Sequence, residues 1–431
     1  MNYSKNDIQS IQKKHTIKAM IFFVVVFFQA STLFAVSLED LQKEAVQNRK
    51  LIEKISIQIS KENAALKINN SIQWPSLNFY YSVSKIDKHE SSITKYTEFE
   101  STLSYSIFAG FEHYFEHYAI NHKKTSKEFE RKSLIQDIYY IVAANYLHLY
   151  DSKSLLDVAE NEYKLLKKRY HDAQNRHKVG IIKKNDLLKI QVEMDHAEQQ
   201  RDKANAAFEK TLDDMEYETG IRVDFDKMPF DEFKALPETK DLVYYLSKAA
   251  RRNEIRALEQ LIESEKMNVR SLQSAFYPTV DLDASYYRYD DDYLLSKGDN
   301  NIEQEYRLSL NVKMNLFNGF KDYHTIKTKK MDVNILLCDL DELKKKLTVE
   351  VDKTYLDYQV SLKNLKVAQK SIAQAEENLR ITDMAFNQGV TTTADILDAI
   401  YYLSRAKYNF IYAGGELFLN YYKLTRLADG F

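Results

Sequence analysis

The chain has 431 residues, a formal net charge of −2 at pH 7 and 29% charged residues, with 9 glycines, 4 prolines and one cysteine. The balanced charge provides no basic excess, which argues against a nucleic-acid-binding protein, and one cysteine excludes a disulfide framework within the chain. So little glycine and proline indicates elements much longer than the helices of about 11–12 residues found in average globular domains.

The beginning of the chain has the features of a secretory signal peptide. Lys13, Lys14 and Lys18 precede an apolar run over 19–28, and a segment of small residues follows and ends at Ala35. A basic start, a short apolar centre and a small residue before the cleavage point are typical of an export signal. The apolar run is too short to cross a bilayer as a helix. We therefore predict a signal peptide over 1–35, with an uncleaved N-terminal anchor as the alternative.

The remaining sequence consists of two copies of one pattern. The first copy covers 36–220, the second covers 241–431, and 221–240 is predicted to be the linker between them. Each copy contains a stretch without glycine or proline, 111–179 and 320–388, and the two stretches have equal lengths. Apolar residues recur in them at steps of three and four, which predicts helices with a narrow coiled-coil seam. At 1.5 Å per residue each helix would be roughly 100 Å long.

Each copy begins with a segment whose apolar residues have a helical period, over 38–73 and over 241–277. An aromatic–proline pair lies at the end of each segment. Because proline disfavours helix in the preceding residue, both helices are expected to end there. The apolar period then changes from 3.6 to 2 over 76–107 and over 279–317, which predicts two strands in each copy. Amphipathic strands of about 10 residues fit a transmembrane barrel and also the half-buried sheet of a soluble domain. The export signal and the aromatic content of the strands favour the membrane.

The tetrapeptides Phe108-Ala109-Gly110-Phe111 and Phe317-Asn318-Gly319-Phe320 connect the strands to the long helices. Gly110 and Gly319 are therefore the predicted strand-to-helix junctions. The sole cysteine, Cys338, lies inside the second long helix and is expected to be a small buried residue.

Each long helix ends at a glycine, the residue favoured at helix C-termini, and a polar turn leads into a returning helix. These turns are the predicted tips of two helical hairpins. The tip residues that we expect to contact a partner are Gly180, Ile181, Asp186, Gly389, Val390 and Thr391.

The predicted strands require more than one chain. Single-chain outer-membrane barrels begin at about 8 strands, and open strand edges cannot face lipid. Several copies would have to share one barrel with cyclic symmetry, as a dimer or as a trimer.

The order of these motifs resembles the TolC family of outer-membrane efflux channels over residues 38–430. The aromatic–proline pairs, the two Phe-x-Gly-Phe motifs and the Gly-led turns carry the resemblance, and the segment 389–399 (GVTTTADILDA) is its most specific part. The resemblance implies a mainly α-helical chain with a transmembrane β part. Three copies would share a 12-stranded barrel in the outer membrane, continued by a long α-helical tunnel through the periplasm of a Gram-negative bacterium.

The resemblance also implies partners and a site. A periplasmic adaptor would contact the tips and connect them to an inner-membrane pump of the RND or ABC type, for efflux or type I secretion of a cargo that the sequence does not identify. The family's tunnel narrows at aspartate rings, and Asp395 and Asp398 match that pattern; stabilising the helix start is their alternative role. Phe386 and Thr391 replace a Tyr and an Arg that help to lock the family's tip. No catalytic residue, cofactor or metal is predicted.

Two other functions are compatible with parts of the sequence. His113, Glu116 and His117 have the spacing of a zinc-peptidase motif on one helix face, but the second copy does not keep these residues. A periplasmic coiled-coil adaptor outside the membrane would also have long hairpins, although it would carry a Gly-rich barrel domain instead of two strand pairs.

Overall fold

The computed structural model of the protein describes residues 36–88, 91–290 and 303–431, so the predicted signal peptide lies outside the described residues. Within these ranges the chain forms eight α-helices and four strands. Their bounds in chain order are α1 Leu38–Asn48, α2 Lys50–Ser71, β1 Ser76–Lys88, β2 Ser91–Ala109, α3 Glu112–Lys178, α4 Lys184–Thr219, α5 Leu242–Ala249, α6 Asn253–Gln273, β3 Thr279–Asp290, β4 Glu303–Lys313, α7 Lys321–Asn387 and α8 Thr393–Leu427.

The two glycine-free stretches are the helices α3 and α7, and each has 67 residues. The sequence predicted one helix at the start of each copy, over 38–73 and over 241–277. In the structure each of these helices is interrupted once and forms two helices. The first break lies at Arg49, which has an extended backbone and binds Glu218 at 2.9 Å. The second lies at Arg252, also extended, which binds Glu254 at 2.6 Å. The two arginines occupy equivalent places before the aromatic–proline pairs, so the break is a feature of the repeat.

The strands form one antiparallel sheet in the order β1-β2-β3-β4. The register places apolar residues side by side on one face: Leu103 of β2 lies between Leu77 of β1 and Ala284 of β3. On the other face Thr102 lies between Asn78 and Ser285. Since side chains alternate across a strand, this register separates an apolar face from a polar one over the whole sheet.

The last strand is shorter than the alternation predicted. β4 ends at Lys313, which pairs with Thr279, the first residue of β3. Pro278 precedes Thr279 and has no N–H group with which to continue the ladder. The apolar residues of 314–317 therefore lie beyond the strand, although their alternation with polar residues continues.

The helices lie side by side in a layer, and each helix next to the sheet lies in the same order as the strand to which the chain connects it. Near the sheet, α3 packs against α2 on one side and α6 on the other, and α6 packs against α7. Farther from the sheet, α3 packs against α4 and α8, and α8 packs against α7. The two long helices thus run the length of the layer, and the shorter helices follow one another beside them.

Two short helices and the linker thicken the middle of the layer. α1 packs on α3 and α4, and α5 packs on α7 and α8. Tyr146 is fully buried there, and its hydroxyl oxygen accepts a hydrogen bond of 3.0 Å from the backbone N–H of Phe230 in the linker. The Phe230 ring lies 4.6 Å from the Tyr146 ring, centroid to centroid. This aromatic contact fixes the linker against the first long helix.

An ion-pair network around the buried side chain of Arg426 joins the two copies of the repeat. Arg426 of α8 donates to Asp137 of α3 at 2.7 Å and to the hydroxyl of Ser133 at 3.0 Å, and it also binds Glu254 of α6. Burial opposes the ionisation of Glu254, but Arg252 and Arg426 outweigh it and lower the pKa of Glu254 to about 2. Losing one partner would leave an uncompensated charge inside the layer.

Each strand-to-helix junction has two consecutive residues in the left-handed region. Gly110 and Phe111 have φ of 63° and 69°, and Gly319 and Phe320 have φ of 71° and 64°. The rings of Phe108 and Phe111 meet edge to face at 5.0 Å, and the rings in the second copy meet in the same way at 5.4 Å. An edge-to-face pair adds about 0.5–1.5 kcal/mol beyond its buried area, which helps to hold Phe111 in a conformation that non-glycine residues seldom adopt.

The expectation that Cys338 is buried was wrong, because its side chain is exposed. α7 packs on α6 through Leu336 and Leu340. Cys338 lies on the opposite side of α7 with Ile335, which is also exposed. Among the described helices none is long and apolar enough to span a membrane.

The two junction glycines provide a matched test of the fold. An alanine Cβ at Gly110 would lie 2.7 Å from the carbonyl oxygen of Ser274, whereas at Gly319 it would meet no atom within 4 Å. Gly319→Ala should cost only the left-handed backbone strain, about 1–2 kcal/mol. Gly110→Ala should cost clearly more, because the clash adds to the same strain. Thermal unfolding of the two purified variants measures the difference, and equal losses would contradict this account of the junction.

Candidate functional site

The apolar face of the sheet is exposed to an unusual degree. Tyr306 and Leu308 of β4 are 80% and 75% exposed, and Phe79 of β1 is 68% exposed. Leu310 and Val312 continue the same face toward the junction. A contiguous apolar surface of this kind on a folded chain indicates contact with another apolar phase or surface.

The opposite face of the sheet is polar and connected by hydrogen bonds. Asn311 donates to Asp283 at 2.8 Å, and the hydroxyls of Thr102 and Ser285 lie 2.9 Å apart. Arg307 pairs with Glu305 of its own strand at 2.8 Å. The sheet therefore separates an apolar environment from a polar one, as the wall of a membrane barrel does.

The sheet is open at both edges within one chain. β1 pairs with β2 and β4 pairs with β3, and neither edge strand has a second neighbour among the described residues. In lipid the backbone groups along such an edge would lack hydrogen-bond partners. The wall can enter a membrane only when other strands complete it.

The two hairpin tips end their long helices in the same way. Gly180 and Gly389 have φ of 77° and 75°. In each tip the next residue donates back to the helix: the N–H of Ile181 to Arg176 O and the N–H of Val390 to Ala385 O, both at 2.9 Å. This bond pattern is the Schellman motif, which needs a left-handed residue at the glycine position. It leaves Ile181 and Val390 at the ends of the molecule, 70% and 74% exposed.

The returning helices begin differently in the two copies. Thr392 and Asp395 form a capping box at the start of α8, in which Thr392 N–H donates to Asp395 at 2.8 Å and Asp395 N–H donates to the Thr392 hydroxyl at 3.3 Å. The hydrogen bonds from Thr392 hold the pKa of Asp395 below its usual value. At the start of α4 the corresponding cap residue, Lys183, makes no side-chain cap, and Asp186 follows in the first turn.

The predicted constriction residues therefore have different surroundings. The carboxylate of Asp395 is engaged by the helix start, so the helix-stabilising role considered for it is present in the structure. Asp398, one turn farther along, is exposed and lies at the edge of a groove between α3, α4 and α8.

Two arginines that the sequence reasoning missed join the hairpins near the tips. Arg169 of α3 forms an ion pair with Asp383 of α7. Arg176, two turns farther along the same face, donates to Asn387 at 3.1 Å and lies over the ring of Phe386 at 5.5 Å. The spacing of the two arginines puts them on one face of α3, but only the packing of α3 beside α7 shows their partners.

The zinc-peptidase residues are used in helix contacts. Glu116 accepts a hydrogen bond of 3.1 Å from Asn69 of α2, and His117 pairs with Asn70 of α2 at 3.1 Å. In the part of the chain that the structure describes, no group of three or more metal-ligating side chains comes together.

The chain is similar to known proteins in part of its sequence and in its fold. Residues 245–428 match the family model described as outer membrane efflux protein. No curated protein sequence matches the chain significantly. Several solved structures share the fold at low sequence identity, and the matches cover the helices and the sheet together.

The outer membrane channel CmeC of Campylobacter jejuni has a TM-score of 0.78 at 15% identity, covering 91% of this chain and 86% of CmeC. The outer membrane protein VceC of Vibrio cholerae has a TM-score of 0.76 at 15% identity, with 91% and 96% covered. The MtrE outer membrane channel of Neisseria gonorrhoeae, in its open state, has a TM-score of 0.77 at 14% identity, with 91% and 89% covered.

These findings confirm the resemblance that the sequence motifs suggested. Residues 245–428 are similar to outer membrane efflux proteins, and the described residues as a whole share the fold of outer-membrane channels such as CmeC and VceC.

Proposed function

We propose that three copies of this chain form a passive exit duct through the outer membrane and the periplasm, as the outer component of a tripartite efflux or type I secretion system. One observation supports this proposal above the others. An amphipathic sheet with two open edges continues, strand by strand, into a helical layer of the same order. Three such layers joined edge to edge would give a 12-stranded barrel and a helical tunnel on one axis.

The edges of the helical layer support the same assembly. α7 exposes an apolar stripe on the side opposite its buried seam, formed by Met331, Ile335, Val349, Leu356, Val360 and Val367. At the other edge α2 exposes Ile57 and Ile68, and α4 exposes Leu188 and Val192. The stripe recurs at heptad-like intervals, which suits a second coiled-coil seam. In the trimer α7 of one protomer would pack against α2 and α4 of the next protomer.

The tips are the proposed contact surface for a periplasmic adaptor. Ile181 and Val390 are exposed apolar residues at the end of the molecule, beside Gly180, Gly389, Thr391 and Asp186. An adaptor bound there would connect the duct to an inner-membrane pump of the RND or ABC type, which would supply the energy. The alternative of an adaptor outside the membrane would leave the apolar face of the sheet in water, at a cost of about 25 cal/mol per Å².

Asp395 and Asp398 are the proposed constriction. Three chains would bring six carboxylates near the axis, and rings of carboxylates favour cations. Within each chain the first repeat has Lys189 where the second repeat has Asp398, so we propose that the hairpin of α7 and α8 faces the pore. Arg169 and Arg176 would hold this hairpin against α3 and thereby keep the tunnel narrow at rest.

Cys338 reports on the proposed trimer. It lies on the exposed side of α7 in a single chain, so the assembly should cover it and slow its reaction with a maleimide by at least about tenfold, since thiol reactivity requires access. Dissociation in SDS should restore fast labelling. The control is Cys338→Ser with Lys234→Cys, which places the thiol on the linker and should react quickly in both states. Fast labelling of Cys338 in the native protein would contradict this edge as the interface.

Removing the two carboxylates tests the constriction. Asp395→Asn with Asp398→Asn keeps an oxygen that can accept from Thr392 and removes both charges. In planar lipid bilayers the variant should show a cation-to-anion permeability ratio nearer to one and weaker block by a trivalent cation. Asp186→Asn, at the same distance past the first tip, is the matched control and should leave both properties unchanged. Wild-type selectivity in the double variant would reject the ring, and absence of any conductance in the native protein would reject the channel itself.

Breaking the links at the tip should widen the resting tunnel. Arg169→Ala with Arg176→Ala removes the contacts with Asp383, Asn387 and Phe386, so single-channel conductance should rise several-fold if the hairpins separate. Arg169→Asp combined with Asp383→Arg exchanges the two charges of this ion pair, so its conductance should be closer to the wild-type value than that of the double alanine variant. Arg201→Ala is the control, because Arg201 pairs with Glu198 and Asp202 of its own helix and lies over the Tyr163 ring within the same hairpin, so it does not link the two hairpins. Unchanged conductance in the double alanine variant would exclude these arginines as a restraint.

A further inference from the structure

A cavity of about 450 Å³ lies in the middle of the layer, between α3, α7, α8 and the linker. Its walls are mainly apolar. They include the aromatic residues Tyr150, Phe233, Phe410 and Phe418 and the leucines Leu362 and Leu365. The rings of Tyr150 and Phe233 lie 4.9 Å apart, and those of Phe233 and Phe418 lie 5.0 Å apart. The size is that of a small-molecule site, for which about 300–1,000 Å³ is usual.

One carboxylate, that of Asp151 on α3, lines this apolar cavity. Among the described residues Asp151 has no ion pair and no hydrogen-bonded side-chain partner. Burial raises the pKa of Asp151 to about 7. Asp151 is half-buried, and a carboxylate held partly away from water without a cation or hydrogen-bond donors is costly when ionised.

The charged groups around the cavity do not neutralise Asp151. Lys234 of the linker and Lys366 of α7 contribute to the lining, but both side chains are exposed. The ammonium of Lys234 binds Asp231 at 2.5 Å. No charged side chain of α8 lines the cavity. The lysines therefore cover the rim with their aliphatic stems, as long cationic side chains do.

Two consecutive glycines in the middle of α8 leave the space for this arrangement. A Cβ at Gly415 would lie 2.3 Å from a carboxylate oxygen of Asp151, and a Cβ at Gly414 would lie 3.9 Å from Leu365. A glycine inside a helix is less stable than alanine by about 0.5–1 kcal/mol. Neither glycine has positive φ, so the backbone conformation does not require them, whereas the close approach of Asp151 requires Gly415.

The residues that form this arrangement are not repeated in the chain. Val360 occupies the place of Asp151 in the second copy, and Asn205 and Ala206 occupy the places of Gly414 and Gly415 in the first. The carboxylate and the two glycines thus occur together at one place in each chain.

We propose that this cavity binds a small hydrophobic monovalent cation, such as a quaternary ammonium ion or a protonated aromatic amine, with Asp151 as its counter-ion. A monocation would compensate the carboxylate, and the aromatic walls would contact it through cation–π interactions. An anion would leave the carboxylate unpaired, and a hard divalent metal ion would require several oxygen ligands that the apolar walls do not supply. The site goes beyond the duct proposed above and depends only on contacts within one chain.

Isothermal titration calorimetry of the purified full-length protein in detergent tests the site, with benzyltrimethylammonium as the probe. Because a cation should bind the ionised form of Asp151, the affinity should rise from pH 5.5 to pH 8 by about 30-fold for a pKa near 7. The uncharged isostere neopentylbenzene should bind weakly, with no dependence on pH. No binding of the cation at pH 8, or equal binding of the isostere, would overturn the proposal.

Two variants separate a counter-ion from a general effect on the fold. Asp151→Asn keeps the shape and should lower the affinity at pH 8 at least about tenfold and abolish its pH dependence. Gly414→Leu should fill the cavity and abolish binding while Asp151 remains. Asp157→Asn is the matched control on the same helix, since Asp157 is exposed and pairs with Lys153 at 2.9 Å, and it should bind like the wild type. Undiminished binding in Asp151→Asn would exclude Asp151 as the counter-ion.

Discussion

Backbone hydrogen bonds between four antiparallel strands, and side-chain seams between the helices that follow them, hold the chain in a layer that is one strand or one helix thick except where α1, α5 and the linker pack on its middle. Such a layer cannot bury both of its faces, and it has two lateral edges. Its apolar surfaces therefore lie on one face of the sheet and along the outer sides of α7, α2 and α4. The trimer proposed above would cover these surfaces.

The identical order of strands and helices depends on two short motifs. At each Phe-x-Gly-Phe segment two left-handed residues turn the strand directly into the helix below it. Because these junctions are so short, the polar face of the sheet can continue as a helical surface. The buried network around Arg426 and the aromatic contacts of the linker then hold the two copies together at mid-height.

The two copies share a framework and differ where chemistry is expected. Both tips end in the same C-terminal motif, yet only α8 begins with a capping box, and Asp395 contributes to it. A carboxylate that stabilises a helix start can still face a pore when exposed, so the two roles of Asp395 are compatible. The cavity at Asp151 is a second difference between the copies. The repeated framework supplies the span of the layer, and the positions that differ between the two copies supply its specific sites.

The sequence determined the elements of this protein, because local chemistry fixes them. The glycines that bound the long helices, the change of apolar period and the aromatic–proline pairs are all local, and the long helices, the strand faces and the hairpin turns agree with them. Tertiary structure decided the features that depend on contacts between residues far apart in the chain. The exposure of Cys338, the end of β4 opposite Pro278, the ion pair between Arg169 and Asp383 and the space that Gly415 leaves for Asp151 arise only when helices far apart in the chain pack together. A periodic pattern specifies which face of a helix is apolar, but it does not specify which neighbour covers that face.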